Sequence, residues 1–238
     1  MTEVSMAYRE HPPTRALAAW VACTWERCDG GSQPVRVLPD GCIDIVWTAE
    51  AGATVVGANT SAFVVALPAR THVVGVRMRP GAAPPLLGVD GAALRDARVA
   101  LAQLWGDDAL RLAEDVCESD DRAAALLAAL APRAAAAGAP DALVQAAVGR
   151  LQDAALGVRE LAGELYVSER QLRRRVGSAV GYGPKRLARV LRLERALAAA
   201  RAGEELARVA AGAGYADQAH FAGDCRELAG LSPTALLA

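Results

Sequence analysis

Apolar and β-branched residues between positions 33 and 79 occur in short runs that are separated by glycine, proline or asparagine. The runs lie at 35–38, 43–47, 54–57, 62–67 and 71–78. Runs of this length are typical of strands joined by turns, and Pro39-Asp40-Gly41 is a turn signal between the first two. The pattern therefore predicts a small β-barrel or sandwich.

After Pro80-Gly81 the spacing becomes helical, and residues 82–131 are predicted to be helices that trail the β-barrel. An alanine-rich helix is expected at 107–131. Pro132 and the alanine-rich run 134–140 indicate a linker. The interpretation is an α+β chain with an effector-binding sensor domain at 1–135 and an all-α domain at 141–238.

Two segments of the all-α domain have the pattern of a helix-turn-helix, at 158–177 and 206–228. In the first, Leu161, Ala162 and Leu165 share one face of a short helix. Ser168-Glu169-Arg170-Gln171 then has the form of a capping box, which fixes the start of the second helix. In the second segment, Asp217 is the expected N-cap.

The second segment repeats the first at an offset of 49 residues. Tyr166, Ser168, Leu172, Gly181, Pro184 and Leu187 recur as Tyr215, Asp217, Phe221, Gly230, Pro233 and Leu236. A helix from Pro184 to about Arg201 joins the two copies. Two copies on one connecting helix predict a protein that contacts two successive major-groove faces of DNA.

The candidate DNA contacts are the polar side chains expected to project from the second helix of each copy and from the start of the connecting helix. They are Glu169, Arg170, Arg173, Arg174, Arg175, Lys185, Arg186, Gln218, Ala219 and His220. Arginine bridges guanine O6 and N7 or holds phosphate, and glutamine pairs with adenine. Residues 173–175, all arginine, become Ala222, Gly223 and Asp224 in the second copy, so the first copy is expected to supply most of the affinity.

The charge of the chain is unevenly distributed, although its net value is only −1. Residues 1–140 hold 12 basic and 16 acidic side chains, whereas residues 141–238 hold 14 and 11. Between Arg170 and Arg201 there are ten basic residues and one acid, Glu194. A local basic stripe of this density favours phosphate binding, with a solvated helix face as the alternative.

Family resemblance extends along nearly the whole all-α domain. The residues that carry it are 161–162, 167–168, Leu172, 181–184, 191–196, 209–210, 214–218, 220–221 and 230–233. Through them, residues 141–238 resemble the DNA-binding domain of AraC-type transcriptional regulators. The resemblance implies a monomeric unit of seven helices with base contacts at Arg170, Arg173, Arg174, Gln218, Ala219 and His220. Gly223 departs from it, because many relatives have a basic residue there.

The first half of the chain also resembles a known domain. Residues 8–10, 20–21, Trp25, 38–44, 75–81 and 104–106 carry a similarity to a sensor domain of actinobacterial AraC-type proteins. That domain is similar to small cupin-like barrels, which implies a pocket without an assigned ligand. The candidate effector pocket is Trp25, Asp40, Cys42, Asp44 and Trp47, with a turn role for Asp40 and a core role for the tryptophans as alternatives.

Other chemistry has little support in the sequence. Cys23, Cys28, Cys42 and His72 lack the spacing of a zinc site, so neither a metal nor a cofactor is predicted. With three histidines and no recognisable catalytic motif, no catalytic residues are predicted and the chain is not expected to be an enzyme. The absence of a long apolar run and of a signal-peptide pattern at the N-terminus favours a cytoplasmic protein.

These patterns predict a sequence-specific transcriptional regulator that binds double-stranded promoter DNA and is controlled by a small molecule or partner at its N-terminal domain. The alternative is a small-molecule-binding protein whose helical domain has weak or lost DNA binding. An unidentified effector and RNA polymerase are the further candidate partners. The sequence leaves open the effector, the operator, the sign of regulation, and the choice between monomer and homodimer.

Overall fold

The computed structural model describes residues 8–28, 34–153 and 156–237. Its strands are β1 (Arg9–His11), β2 (Val21–Cys28), β3 (Val35–Val37), β4 (Ile43–Thr48), β5 (Gly52–Val56), β6 (Phe63–Val65), β7 (His72–Met78) and β8 (Arg98–Ala100). They form an antiparallel six-stranded sheet in the order β1-β2-β7-β4-β5-β8 and a separate two-stranded sheet, β3-β6. The N-terminal domain is thus a half-open barrel of two facing sheets with helices after it.

The turn at Pro39-Asp40-Gly41 forms as predicted, but it does not join a hairpin. The Asp40 carboxylate accepts a hydrogen bond from the Cys42 N–H at 2.9 Å, and Gly41 has a φ of +81°. The chain leaves β3 through this turn and enters β4 in the other sheet, while β3 pairs with β6. Pairing between distant strands is decided by which faces are buried together, and a local turn signal carries no such information.

Three strands lie outside the predicted β-rich span of 33–79. Strands β1 and β2 precede it, and β8 lies within the segment 82–131 that was expected to be helical. Strand β2 occupies the position between β1 and β7 in the large sheet. Alternation of Val21, Cys23 and Trp25 was the sequence signal for this strand.

The helices are α1 (Ala83–Leu87), α2 (Ala102–Trp105), α3 (Asp107–Glu118), α4 (Arg122–Ala137), α5 (Ala142–Asp153), α6 (Val158–Glu164), α7 (Glu169–Val180), α8 (Pro184–Arg201), α9 (Leu206–Gly212), α10 (Gln218–Asp224) and α11 (Pro233–Leu237). Short 3-10 turns lie at Arg15–Leu17 and Gly91–Leu94, and a π-helical turn at Cys225–Ala229 continues α10. Within the described ranges no single helix has the length and apolarity to cross a bilayer; α4 with residues 142–152, bent by 119°, satisfies those two criteria only as a pair.

The predicted helix at 107–131 is divided, and the predicted linker is wrong. The Ser119 hydroxyl donates to the Asp121 carbonyl and accepts from the Asp121 N–H. The Asp121 carboxylate caps α4 by accepting from the Ala124 N–H at 2.9 Å. Helix α4 then continues through Pro132 to Ala137. An internal proline costs a helix about 3 kcal/mol, but α4 packs against β7 and α1 and buries Leu126 and Leu130, which offsets that cost.

Among the residues that the structure describes, the buried apolar side chains form two clusters. The larger one runs without interruption from the six-stranded sheet through α1, α3 and α4 into α5, α6, α7 and the first half of α8. The smaller one contains the second half of α8, α9, α10 and the π-helical turn. The first helix-turn-helix unit therefore shares its core with the N-terminal domain, whereas the second has a core of its own.

Candidate nucleic-acid interface and ligand cavity

The first helix-turn-helix unit, α6 and α7, forms as the sequence predicts. Leu161 and Ala162 on α6 are buried together with Leu172 and Val176 on α7. The Gln171 N–H donates to Ser168 Oγ at 3.2 Å, and the Ser168 N–H donates to Gln171 Oε1 at 3.2 Å. This reciprocal capping box is confirmed, and it fixes the residue at which α7 begins.

The second unit, α9 and α10, forms too, but its turn differs from the turn of the first. Tyr166 (φ +54°) corresponds to Gly214 (φ +83°), because each amide donates to the carbonyl three residues before it. The buried Tyr215 corresponds to Val167, since both amides donate to the carbonyl five residues before them. The second turn is one residue longer, so the predicted pairing of Tyr166 with Tyr215 is wrong, while Phe221 and Cys225 are buried as predicted.

Three arginines form an exposed cationic ridge on α7: Arg170, Arg173 and Arg174. Arg173 Nη2 contacts Glu169 Oε2 at 2.6 Å, and Glu169 also lies 3.4 Å from Arg159. Arg170 and Arg174 have no ion-pair partner in the part of the chain that the structure describes. Their guanidinium groups are therefore free to bind phosphate or base edges.

Arg175, also a candidate contact, is instead part of the scaffold. Its guanidinium donates two hydrogen bonds to the carboxylate of Asp141, one of them from Nε at 2.9 Å. The same carboxylate caps α5 by accepting from the amides of Leu143 and Val144. Arg175 thus joins α7 to α5.

The connecting helix α8 presents fewer free cations than its sequence suggests. Arg186 donates to Glu227 at 2.8 Å, and Arg189 donates to Glu227 and to Asp224 at distances down to 2.5 and 2.7 Å. Arg192 donates to the second oxygen of Asp224 at 2.9 Å. The pKa of Glu227 is lowered to about 2, chiefly by its hydrogen bond from Arg189.

The Asp224 carboxylate is buried, with 4% of its side chain exposed, so it does not face an approaching phosphate. Burial acts to raise the pKa of Asp224, but the hydrogen bonds from Arg189 and Arg192 outweigh it and lower that pKa. Sequence reasoning missed this network, although Asp224 and Glu227 are three residues apart on one helical face. Lys185 remains exposed and without an ion-pair partner among the described residues.

A cleft of about 700 Å³ lies between the two units and is lined by Lys185, Arg189, His220, Gly223 and Asp224, among others. Gln218, Ala219 and His220 at the start of α10 are exposed. His220 is turned back onto its own unit, because its Nδ1 accepts from the Ala216 N–H at 3.4 Å and its ring packs edge-on against Tyr215. Of these three residues, Gln218 therefore has the polar side chain better placed to contact a molecule outside its own unit.

Gly223 offers a test of this cleft. It is exposed inside α10, and a Cβ added there meets nothing within 4 Å. We expect Gly223→Ala to raise the free energy of unfolding by about 1 kcal/mol through helix propensity alone. Gly223→Arg should stabilise similarly, tighten DNA binding, and steepen the dependence of log K on log salt by about 0.9. Thermal melting and DNA titration measure the two effects, and equal DNA affinities of the alanine and arginine variants would contradict a DNA-facing cleft.

A second cavity, of about 290 Å³, lies between the two sheets of the N-terminal domain. Its walls are mostly apolar: Val35, Val37, Val46, Val56, Phe63, Val65, Leu67 and Val73. Of the candidate pocket residues, Trp25 and Asp44 line it. Tyr8, Arg77 and Arg98 also line it and were missed, because they come together only when distant strands pair.

The other candidate pocket residues lie elsewhere, which corrects the prediction. Strand β4 alternates, so that Asp44 faces the cavity while Trp47 faces the helices and is 3% exposed. Asp40 belongs to the turn before β4, and burial raises the pKa of the neighbouring Cys42 thiol well above its usual range. All five cysteines are free, and the described residues contain no cluster of three or more metal-ligating side chains.

The polar end of this cavity is built around Asp44 and Arg77. Asp44 Oδ2 accepts from Trp25 Nε1 at 3.0 Å and lies 3.5 Å from Arg77 Nε. Arg77 also approaches Asp40 at 3.2 Å and Glu10 at 3.3 Å. Burial raises the pKa of Asp44 to about 7, against the lowering effect of Arg77. The cavity thus combines apolar walls with a carboxyl group whose pKa is raised by burial.

Comparisons with known proteins agree with both halves of this description. Residues 161–238 match a family of helix-turn-helix domains, and residues 9–100 match a family described only as a domain of unknown function. No curated protein matches the chain.

Among solved structures, the chain is similar to ToxT from Vibrio cholerae. An apo ToxT variant has a TM-score of 0.50 at 12% identity, with 92% of this chain and 97% of that one covered. A second ToxT structure has a TM-score of 0.46 at 12% identity, covering 90% and 96%. At this identity the first likeness shows the fold alone. The two domain matches show that the chain carries an AraC-type helix-turn-helix domain behind an N-terminal domain of unknown function, and its fold is similar to that of ToxT.

Proposed function

We propose that the protein binds promoter DNA sequence-selectively through both helix-turn-helix units, and that occupancy of the cavity in its N-terminal domain controls this binding. The observation that carries the first part is that Arg170 and Arg174 are exposed, and have no ion-pair partner among the described residues, on a helix with a fixed start. The proposal divides the chain into a sensor unit at 1–135 and a DNA-binding unit at 141–238. The break between α4 and α5 supports that division.

The two units contribute unequally in this proposal. Helix α7 presents three arginines, whereas α10 presents Gln218 and a histidine that is engaged by its own unit. Arg186, Arg189 and Arg192 of α8 are ion-paired with Asp224 and Glu227, whereas Lys185 at the start of the helix is exposed and placed to meet phosphate between the units. The first recognition helix therefore supplies most of the affinity, and the second adds selectivity.

The effector in this proposal is a small, mostly apolar molecule with one polar group. The cavity, at about 290 Å³, is at the lower end of the size of ligand pockets. Its walls are mostly apolar, and Asp44 and Arg77 are among the few polar side chains that would orient a ligand there. RNA polymerase as a partner, and the choice between monomer and homodimer, stay predictions from the sequence.

Selection from a random duplex library by the full chain tests the DNA-binding proposal. We expect enrichment of one sequence family, with an affinity that falls steeply between 100 and 200 mM salt because several phosphates are neutralised. The matched control is the double variant Arg170→Ala and Arg174→Ala, which should lose the enrichment while melting at the same temperature as the wild type.

One observation favours the rival function, a ligand-binding protein without specific DNA binding. Asp224 and Glu227 neutralise Arg186, Arg189 and Arg192, which removes cationic charge from the cleft between the units. That function predicts no enriched sequence and equal DNA affinities for the wild type and the double arginine variant.

A further inference from the structure

The two-stranded sheet β3-β6 contacts the cavity with one face and the second helix-turn-helix unit with the other. Val35 and Val37 of β3 and Val65 of β6 line the cavity. Successive side chains of a strand point to opposite faces, and Arg36 accordingly points outward. Its Nη1 donates to the carbonyl of Ala229, in the π-helical turn after α10, at 3.1 Å.

Two more contacts strengthen this junction. Just before β6, the Ala62 N–H donates to the carbonyl of Leu228 at 2.7 Å. Just after β3, Leu38 packs against the apolar core of the second unit. Both strands of the small sheet are therefore bound to the same π-helical turn, partly through backbone groups whose geometry is stiff.

The first helix-turn-helix unit is held by a different part of the N-terminal domain. The 3-10 turn Gly91–Leu94, which precedes edge strand β8, packs against α7. A Cβ on Gly91 would lie 2.7 Å from the carbonyl oxygen of Ser178, and one on Gly181 would lie 2.9 Å from that of Gly91. The Ser178 hydroxyl also bonds to Asp90. This close packing, together with the shared core, fixes the first unit to the large sheet.

The cavity thus lies between two walls, each of which holds one DNA-binding unit. Arg98 of β8 lies 3.9 Å above the ring of Phe63 of β6, a contact that joins the walls across the cavity. We propose that the small sheet transmits occupancy of the cavity to the second helix-turn-helix unit, whose position relative to the first changes as the walls separate. This inference rests on the proposed role of the cavity. A ligand would act by binding more tightly when the two walls are at one separation than when they are at the other.

A larger side chain inside the cavity is the probe, because it needs no knowledge of the effector. Val65→Phe adds volume from the small sheet toward the cavity, and Val64→Phe is the matched control, since Val64 is 52% exposed on the other face of the same strand. Hydrogen exchange of the full chain, without DNA, is measured over 218–229 and over α7. Val65→Phe should make hydrogen exchange at least threefold faster over 218–229 and at the Ala62 amide, and it should leave the exchange of α7 unchanged. Val64→Phe should change the exchange of neither region.

Two results would overturn the inference: equal exchange over 218–229 in both variants, or equal acceleration of 218–229 and α7 in Val65→Phe. Circular dichroism establishes that each variant is folded, and Val37→Ile, which adds one methylene from β3, replaces Val65→Phe if the latter is not. Because the measurement contains no DNA, its failure is distinguishable from a failure of the library selection, which tests DNA binding alone.

Discussion

Arg174→Ala is expected to weaken binding to the selected duplex by roughly 5- to 150-fold, corresponding to the 1–3 kcal/mol of one bidentate base contact. The effect should be this large because Arg174 is exposed on α7 and has no ion-pair partner among the described residues. Its guanidinium can therefore bind DNA without first breaking an ion pair with a carboxylate. For the same reason, the melting temperature should not change. Fluorescence anisotropy with a labelled duplex, at two salt concentrations, measures the loss.

The matched variant in the second unit is Gln218→Ala. Gln218 is also exposed at the start of its helix, but it is uncharged and its neighbour His220 is engaged with Ala216 and Tyr215. We expect a loss smaller than about fivefold and an unchanged salt dependence, because a neutral side chain releases no counterions. Equal losses from Arg174→Ala and Gln218→Ala would contradict the inequality of the two units.

Asp224→Ala is expected to lower the free energy of unfolding by about 3 kcal/mol, the lower end of the cost of breaking a buried ion pair. Its carboxylate holds both Arg189 and Arg192, and Arg192 in turn lies 4.2 Å above the ring of Tyr215. Removal of the acid leaves two guanidinium groups, 26% and 17% exposed, without this partner. Urea unfolding at neutral pH measures the change.

The matched control for this variant is Glu227→Gln. Glu227 contacts Arg186 and Arg189, but 52% of its side chain is exposed, so its loss should cost less than about 1 kcal/mol. A similar loss of unfolding free energy in both variants would show that the burial of Asp224 contributes nothing to the strength of its ion pairs.

The same network predicts how stability depends on pH. The folded-state pKa of Asp224 and that of Glu227 both lie below their ordinary values. A depressed carboxyl pKa stabilises the folded state above the unfolded pKa of about 4, and that contribution is lost as the pH falls through the folded value. The wild type should therefore lose stability below about pH 4 more steeply than the Asp224→Ala variant, which parallel unfolding curves for the two proteins would contradict.

Structural elements that are fixed by residues close to each other in the sequence could be predicted from it. The capping box of Ser168 and Gln171 and the start of α8 at Pro184 both involve groups within four residues of each other. Such signals have one local solution, so the first unit begins at Val158 and α8 runs from Pro184 to Arg201 as predicted, whereas α7 ends at Val180, three residues beyond the predicted bound of 177.

Features that depend on distant residues were not predictable in the same way. The pattern of apolar positions predicts that Val35 and Val37 face the interior, but it does not predict that their strand, β3, pairs with β6. Helix propensity indicated a linker at Pro132, whereas packing of α4 on the sheet keeps the helix intact. The extra residue of the second turn was likewise hidden, because a repeat aligned on Tyr166 and Tyr215 matches an exposed side chain with a buried one.

The sequence by itself determined the double helix-turn-helix, its caps and the exposed arginines of α7, since helix starts, periodicity and charge are local properties. Only the tertiary structure decided which charges are free and which residues share a cavity. Arg189 and Arg192 are neutralised by Asp224 more than thirty positions away, and Asp44 meets Arg77 only because β4 pairs with β7. Both outcomes follow from contacts that form between distant segments as the chain buries its apolar surface, and Coulomb and hydrogen-bond energies depend on those final distances.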